Sequence, residues 1–285
     1  MKRDNMLPYL FISPSVIMLS MVVLIPVLFI LMLSFSKTDL LSTFQFVGLG
    51  NYQELLFEDP YFWQVVKNTV IWTVLSVSLE YSISLGIALL LNRDVPGKRF
   101  FRSIILIPWI VPPVTAALIW LTFYDPNNGV LNYLLSKIGL SPRAWLVEQG
   151  SVLPSLIAAA VWKYGPFMTV SLLSGLQGIP SEVYEAAAVD GAIGWKAFKY
   201  VTFPMLMPIT SVLLILGTIW RAGHFDFVAL LTGGGPANAS QLISTYSYNA
   251  LNIQFNAGLS AAIALMGVFG LAVFMVLYIR KVRRD

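Results

Sequence analysis

Apolar residues gather in six long runs along the chain, separated by short polar stretches. The runs lie at residues 9–35, 68–92, 103–124, 151–176, 205–223 and 257–279. Their lengths are close to or above the span of about 20 residues with which a helix crosses the hydrocarbon core of a bilayer. The pattern predicts an all-α polytopic membrane protein with six transmembrane helices. We divide it into an N-terminal helix with its following segment, residues 1–67, and a core of five helices, residues 68–285.

The composition fits a membrane environment. Hydrophobic residues make up 57% of the chain and charged residues 11%, whereas soluble proteins carry about 25% charged residues. The chain has no cysteine, and His224 is its single histidine, so neither disulfides nor thiolate or multi-histidine metal sites are expected. The net charge of +4 does not predict nucleic-acid binding, because most of the basic residues lie in the loops between apolar runs or at the chain ends.

The basic residues predict the orientation of the chain. Both chain ends, the loop 93–102 and the segment 177–204 together hold twelve of the 18 lysines and arginines, while the opposite loops hold five. Lysine and arginine are enriched in cytoplasmic loops. We therefore expect both termini and the segment 177–204 to lie in the cytoplasm.

The stretch EVYEAAAVDGAIGWKAFKYVTFP, residues 182–204, is too polar to cross a bilayer and too regularly patterned for a plain linker. Ser181 is a good N-cap residue and Gly191 a good helix terminator, which predicts a helix of about two turns between them. A second helix is predicted from Trp195 to Pro204, where it closes and the next span opens.

Three consecutive alanines, residues 186–188, would let another surface approach the backbone of the first helix closely. Tyr184 and Glu185 beside them can supply an anchor and a charge. The residues alone therefore indicate a docking element for a cytoplasmic partner. The alternative is a helix that lies on lipid, but such helices usually carry lysine or arginine on their polar face, and this one carries glutamates.

Two loops on the opposite side have recognisable patterns. The apolar spacing of GVLNYLLSKIGL, within residues 125–150, predicts a short surface helix. The glycine-rich run LLTGGGPANAS lacks the Gly-Lys-Ser/Thr ending of a phosphate-binding loop, so it is interpreted as a turn.

The segment 182–204 also resembles a known family. It keeps every spacing of the EAA signature of bacterial ABC importer permeases, with Glu185-Ala186-Ala187, Gly191, Val201, Phe203 and Pro204. Valine and phenylalanine replace the usual isoleucine and leucine, and Ile193 stands where a serine is often found. The stretches FVGLGNYQELLFEDPYFWQVVKNT, GKRFFRSIILIPWIVPPVTAALIW, GLQGIPSEVYEAAAVDGA and FDFVALLTGGGP resemble the carbohydrate-uptake branch of that family over nearly the whole chain.

This resemblance implies a type I ABC-importer permease fold in a bacterial cytoplasmic (inner) membrane. The chain would be a transport subunit without catalytic residues, and it would form half of the translocation pathway for a sugar or sugar derivative. The helix 181–189 would be the coupling helix, seated in a groove of an ATP-hydrolysing subunit. Its expected contact residues are Tyr184, Glu185, Ala186, Ala187, Asp190 and Gly191.

The chain contains no Gly-x-x-x-x-Gly-Lys-Ser/Thr motif, and therefore no ATP-binding loop of that type. The resemblance implies that ATP and Mg bind two partner ATPase subunits and that this chain holds no cofactor. The other implied partners are a second homologous permease subunit in a heterodimer, an extracytoplasmic solute-binding protein, the sugar itself and membrane lipid.

Charges within a bilayer are rare and point to function. Glu80 and Lys163 lie at depths of about 18 and 21 Å from the cytoplasmic ends of their helices, at 1.5 Å per residue. We predict that they pair near the middle of the membrane. Alternatives for Lys163 are the solute path, other partners or water.

The resemblance to sugar permeases implies solute contacts at the outer end of the fifth span and around Trp162–Tyr164 in the fourth span. The candidates are Trp162, Tyr164, Trp220, Arg221 and His224. Aromatic faces with hydrogen-bond donors suit a sugar, and an arginine with a histidine could also suit an anionic group. The structural alternative for Arg221 is a pair with Asp226 or an extension of its side chain to the membrane interface.

Two other functions compete with the importer. A secondary, gradient-driven sugar transporter would show inverted repeats and broken helices in matching halves, and the sequence shows neither. An intramembrane enzyme would need a convergent catalytic set, whereas the ionisable residues are scattered.

Overall fold

The computed structural model describes residues 7–39, 44–94 and 96–282. Within these ranges the predicted all-α class is confirmed. Lys2, Arg3, Arg283 and Arg284, which contribute to the predicted orientation, lie outside the described residues.

Fourteen α-helices are present in the described ranges. They are α1 (Leu7–Leu19), α2 (Ile25–Ser34), α3 (Gly50–Gln53), α4 (Phe62–Asn92), α5 (Lys98–Ile110), α6 (Pro113–Phe123), α7 (Val130–Lys137), α8 (Gln149–Gln177), α9 (Ser181–Val189), α10 (Trp195–Ala197), α11 (Phe203–Ala222), α12 (Asp226–Leu231), α13 (Ile243–Asn252) and α14 (Ala257–Val282). Three π-helical turns, Ser20–Leu24, Glu54–Glu58 and Phe198–Thr202, join or extend them. Two short strands that the sequence analysis did not predict, β1 (Ser36–Thr38) and β2 (Phe44–Phe46), pair antiparallel with Ser36 opposite Phe46.

The chain forms two compact units. The first combines the residues up to Phe62 with Tyr246–Gly270, and the second combines Trp63–Thr245 with the residues from Leu271 onward. The predicted division at residue 67 follows the sequence alone, and it assigns residues 246–270 to the core of five helices.

In the first unit, polar side chains hold the segment after α2. The Asn51 amide donates hydrogen bonds to the carbonyl oxygens of Ser34 and Ser36, at 2.8 and 3.0 Å. Gly258 lies against the same backbone, since an added Cβ would overlap the Ser36 carbonyl. Tyr246 donates a hydrogen bond of 2.6 Å to Asp59.

In the second unit, α4, α8 and α11 supply most of the buried residues. One apolar cluster surrounds Trp72, Leu156 and Phe227, and another surrounds Met168 and Leu172. Burial of apolar side chains is the main favourable term in folding, so these clusters fix how the three helices meet.

Within the part of the chain that the structure describes, five helical segments are long and apolar enough to cross a membrane. They are Pro8–Ser34, Phe62–Asn92, Gln149–Gln177, Trp195–Ala222 and Ala257–Arg280. The third predicted span is not one straight helix, because α5 and α6 meet at an angle of 96°. Six spans are obtained only when this bent pair counts as one. The break falls at Pro112 and Pro113, which lack the backbone N–H groups that would continue the helix.

The fifth predicted span begins earlier than expected. The structure continues the helix from Trp195 to Ala222, so the prediction that a separate helix closes at Pro204 is wrong. Pro204 cannot donate to the carbonyl of Tyr200, and its ring would crowd that carbonyl in a regular α-helix. The π-helical turn Phe198–Thr202 widens the backbone at this point and lets the helix pass the proline.

The two patterned loops fold as predicted, and two further short helices flank the glycine-rich turn. The predicted surface helix is α7, and the glycine-rich run is a turn in which Gly233 and Gly234 have positive φ angles of 60° and 94°. Gly234 also lies where a side chain would overlap Gln241. The flanking helices α12 and α13 were not predicted, because their apolar patterns are short.

Candidate functional site

The segment predicted to dock a cytoplasmic partner forms an exposed helix, α9. Glu182, Glu185 and Ala186 are exposed, and Val189 has 88% of its surface accessible. The predicted cap is wrong, because Pro180 occupies the N-cap position in an extended conformation and Ser181 is already helical. Pro180 favours the start of the helix at the next residue, since its ring fixes its own φ near the helical value.

The end of α9 has a defined geometry. The Ala192 N–H donates to the Ala187 carbonyl at 2.8 Å, and the Gly191 N–H donates to the Ala188 carbonyl at 3.0 Å. This is the Schellman arrangement, which requires a left-handed residue after the helix. Gly191 has φ of +77°, and the prediction that it ends the helix is confirmed.

Tyr184 connects α9 to the following span. Its hydroxyl shares a hydrogen bond of 3.0 Å with the hydroxyl of Thr202, and Thr202 is buried at the start of α11. The ring also packs against the cluster around Leu172 and Leu206. Tyr184 therefore has an internal partner, whereas Glu185, Ala186 and Asp190 face outward.

Inside the membrane-spanning region, Glu80 of α4 pairs with Arg221 of α11. The Arg221 Nε lies 3.2 Å from the Glu80 Oε1, within ion-pair distance although the N–H is not aligned for a hydrogen bond. Both residues are buried, with 1% and 3% of their surfaces accessible. The predicted Glu80–Lys163 pair is wrong. Depth along a helix fixes height in the membrane, but rotation about the helix axis decides which neighbour a side chain meets.

Gly217 explains why α11 comes close enough for this pair. A Cβ on Gly217 would lie 2.8 Å from the Met168 Cε of α8 and 3.5 Å from the Val77 Cγ1 of α4. A glycine at this position lets α11 lie close to α8 and α4 without displacing the end of the Met168 side chain. Arg221 follows one turn later on the same helix face and meets Glu80.

Lys163 of α8 has a different partner. Its ammonium group donates hydrogen bonds to the carbonyl oxygens of Pro108 and Trp109, at 3.0 and 2.8 Å. Both acceptors belong to the last turn of α5. The alternative that Lys163 has partners other than Glu80 is the one the geometry supports.

Three of the five candidate solute contacts come together. The Tyr164 ring lies between Arg221, whose Cζ is 3.9 Å from the ring centroid, and His224, whose ring centroid is 5.4 Å away. His224 also stacks on Trp72 at 5.6 Å, and Trp72 donates a hydrogen bond of 3.0 Å to the Arg221 carbonyl. A guanidinium over an aromatic face is an attractive arrangement.

The remaining two candidates lie in other surroundings. Trp162 packs edge to face on Trp120 at 5.7 Å. Trp220 is about half exposed and packs on Phe167 at 5.5 Å. Trp72 was missed by the sequence analysis, since a tryptophan within an apolar run gives no sign that its N–H has a buried acceptor.

Comparison with known proteins places these features in a family. Residues 82–284 match the family described as "Binding-protein-dependent transport system inner membrane component". The chain is 37% identical to the trehalose/maltose transport system permease protein MalF of Thermococcus litoralis, over 99% of this chain and 96% of that protein. It is 33% identical to the sulfoquinovosyl glycerol transport system permease protein SmoG of Agrobacterium fabrum, over 98% of this chain and 91% of that protein.

A solved structure is also similar over nearly the whole chain. It is a bacterial alginate ABC transporter in complex with an alginate pentasaccharide-bound periplasmic protein. The TM-score is 0.84 with 26% identity, and the match covers 99% of this chain and 96% of that chain.

Proposed function

The chain belongs to the family of binding-protein-dependent transport system inner membrane components, and we propose that it forms half of the pathway of an ATP-driven sugar importer. It is a multi-pass membrane permease subunit. The single observation that carries the ATP-driven part is the exposed helix α9, with Glu185 and Ala186 on its surface and the Schellman end at Gly191.

We propose that α9 is the coupling helix. Its exposed residues Glu185, Ala186 and Asp190, together with half-buried Ala187, would contact an ATPase subunit, and ATP and Mg would bind that subunit. The internal hydrogen bond between Tyr184 and Thr202 supports this role, because it ties α9 to the helix that continues into α11. A displacement of α9 would then reach the membrane-spanning region directly.

The solute is proposed to be a sugar or sugar derivative. The names of relatives support this, since they are transport permeases for trehalose and maltose or for sulfoquinovosyl glycerol, and the solved transporter carries alginate. Half-exposed Trp220 is the best placed of the proposed aromatic contacts. Arg221 already has Glu80 as its counter-ion, so we assign Arg221 and His224 to the wall that supports Tyr164 rather than to an anion site.

The proposed assembly contains this chain, a second homologous permease, two ATPase subunits and an extracytoplasmic solute-binding protein. Both termini and α9 would face the cytoplasm of a bacterial cell. This orientation rests on the distribution of lysine and arginine.

A crosslinking experiment tests the proposal. The sequence has no native cysteine, so Glu185→Cys gives a single thiol on this chain within the assembled complex. We expect a bifunctional reagent to join it to an ATP-hydrolysing subunit. Tyr133→Cys on exposed α7 is the matched control, expected on the opposite side of the membrane and without such a product.

Two results would contradict the proposal. One is the absence of any ATPase crosslink from position 185 in a complex that hydrolyses ATP. The other is gradient-driven uptake by the purified chain alone in proteoliposomes, which would support the secondary-transporter alternative.

A further inference from the structure

The corner between α5 and α6 leaves two adjacent carbonyl groups without backbone donors. In a continuous α-helix, the N–H groups of residues 112 and 113 would donate to the carbonyls of Pro108 and Trp109. Both positions are proline, so neither N–H exists. The preceding N–H, that of Val111, does donate to the Ile107 carbonyl at 3.2 Å.

Lys163 of α8 supplies donors to those two carbonyls. Its Nζ lies 3.0 Å from the Pro108 oxygen and 2.8 Å from the Trp109 oxygen, and only 2% of its surface is accessible. Its location at the end of α5 is favourable, because the carbonyl end of a helix carries partial negative charge. An ammonium group with three donors can satisfy both acceptors at once.

The charges around Lys163 are consistent with this role. The Tyr164 ring lies 5.4 Å from its Nζ, and the nearby Arg221 is paired with Glu80. The Lys163 ammonium is therefore contacted by the two α5 carbonyls and the Tyr164 ring, while Glu80 is engaged by Arg221.

We propose that Lys163 is a positioning residue that replaces the two missing backbone donors and holds the corner between α5 and α6. It joins this corner to α8, a single helix of 29 residues that ends three residues before α9. The geometric claim stands without any transport assignment. Its consequence, that α8 carries displacement of α9 to the corner, rests on the proposed function.

A distance measurement across the corner tests the geometric claim. Spin labels at Phe100→Cys on α5 and Leu118→Cys on α6 occupy exposed positions. Their backbones would lie about 27 Å apart in a straight helix and about 20 Å apart across a right-angled corner. The labelled full chain is measured in whatever complex it purifies with, without solute or nucleotide, so the result does not depend on transport activity.

Three variants make the measurement specific. Lys163→Met keeps the length of the side chain but removes the donors, and we expect the distance distribution to broaden and shift to longer values. Lys163→Arg keeps the charge and the donors, and we expect the narrow distribution to persist. In the Pro112→Ala/Pro113→Ala background, which restores both N–H groups, we expect Lys163→Met to cause no further change.

The decisive comparison is the effect of Lys163→Met with and without the Pro112→Ala/Pro113→Ala substitutions. A lysine with a merely structural role would be needed whether or not the prolines are present. The proposal is overturned if Lys163→Met leaves the distribution of the parent chain unchanged, or if its effect is equally large without the prolines. If Lys163→Met alone fails to assemble, recovery of assembly by Pro112→Ala/Pro113→Ala supports the proposal, and failure to recover overturns it.

Discussion

Arg221 and Glu80 form an ion pair between α11 and α4, with 3.2 Å between Nε and Oε1 and both side chains buried. Two aromatic residues contact Arg221. Trp72 donates a hydrogen bond to the Arg221 carbonyl, and the Tyr164 ring lies against the guanidinium. The pair therefore holds together helices that are far apart in the sequence.

Removal of one partner should be much more harmful than removal of both. Arg221→Met leaves the Glu80 charge buried without a partner, and breaking a buried pair costs about 3–5 kcal/mol. We expect Glu80→Gln/Arg221→Met to recover most of the lost thermal stability of the purified complex. Lys137→Met on exposed α7 is the control and should change little; a double variant as unstable as Arg221→Met would refute the pairing.

Glu185→Ala should uncouple transport without unfolding the protein. Glu185 is exposed on α9, and surface substitutions usually change stability by about 0.5 kcal/mol or less. We expect solute-stimulated ATP hydrolysis and uptake to fall while the melting temperature stays constant. Glu182→Ala, on an exposed position of the same helix, is the matched control and should retain activity. Equal losses from both variants would remove the special role of Glu185.

Gly191→Ala should weaken coupling through backbone strain alone. Gly191 has φ of +77°, and an added Cβ would meet no atom within 4 Å. The cost is therefore that of placing an L-residue in the left-handed region, about 1–2 kcal/mol. We expect faster amide exchange in α9 and lower solute-stimulated ATP hydrolysis.

Two controls accompany the glycine variant. Gly270→Ala also has open space around its Cβ but no positive φ, so it should be neutral. Gly191→Asn should retain more activity than Gly191→Ala, because asparagine tolerates the left-handed conformation. A deleterious Gly270→Ala with a neutral Gly191→Ala would contradict the strain argument.

Tyr184→Phe should loosen α9 from α11. The change removes the hydroxyl that shares a hydrogen bond with Thr202, which contributes about 1 kcal/mol in a typical case. Hydrogen exchange of α9 should increase, and Thr202→Val should cause the same increase. Both variants remove the bond between Tyr184 and Thr202, and the other contact of the Thr202 hydroxyl, to the Ala197 carbonyl, is long at 3.5 Å. The double variant should therefore add little; strictly additive effects would show that the hydroxyls act separately.

The segment 177–204 illustrates what sequence can predict well. Gly191 stands after a run of helix formers, and only a few backbone conformations end a helix at such a position. The helix α9 and its end are local features, so the prediction holds. The capping of α9 is also local, but Pro180 and Ser181 are both suited to the start of a helix, and the structure has Pro180 at the N-cap where the sequence predicts Ser181.

The intramembrane residues illustrate the opposite case. Glu80 and Lys163 were matched by depth, yet Glu80 meets Arg221 and Lys163 meets two backbone carbonyls. The consecutive prolines at 112 and 113 were visible in the sequence and could have indicated unsatisfied carbonyls four residues earlier. They could not indicate which side chain would reach those carbonyls.

The sequence by itself determined the membrane-spanning runs, the exposed helix between the fourth and fifth of them, and the glycine that ends that helix. These features depend on hydropathy over about 20 residues or on the conformational preferences of neighbouring residues. The tertiary structure decided the 96° corner of the third span and the partners of every buried charge discussed above. It also decided that the helix continues through Pro204 by way of a π-helical turn. Those outcomes depend on how each helix is rotated about its axis and which neighbour packs against it, and a one-dimensional pattern specifies neither.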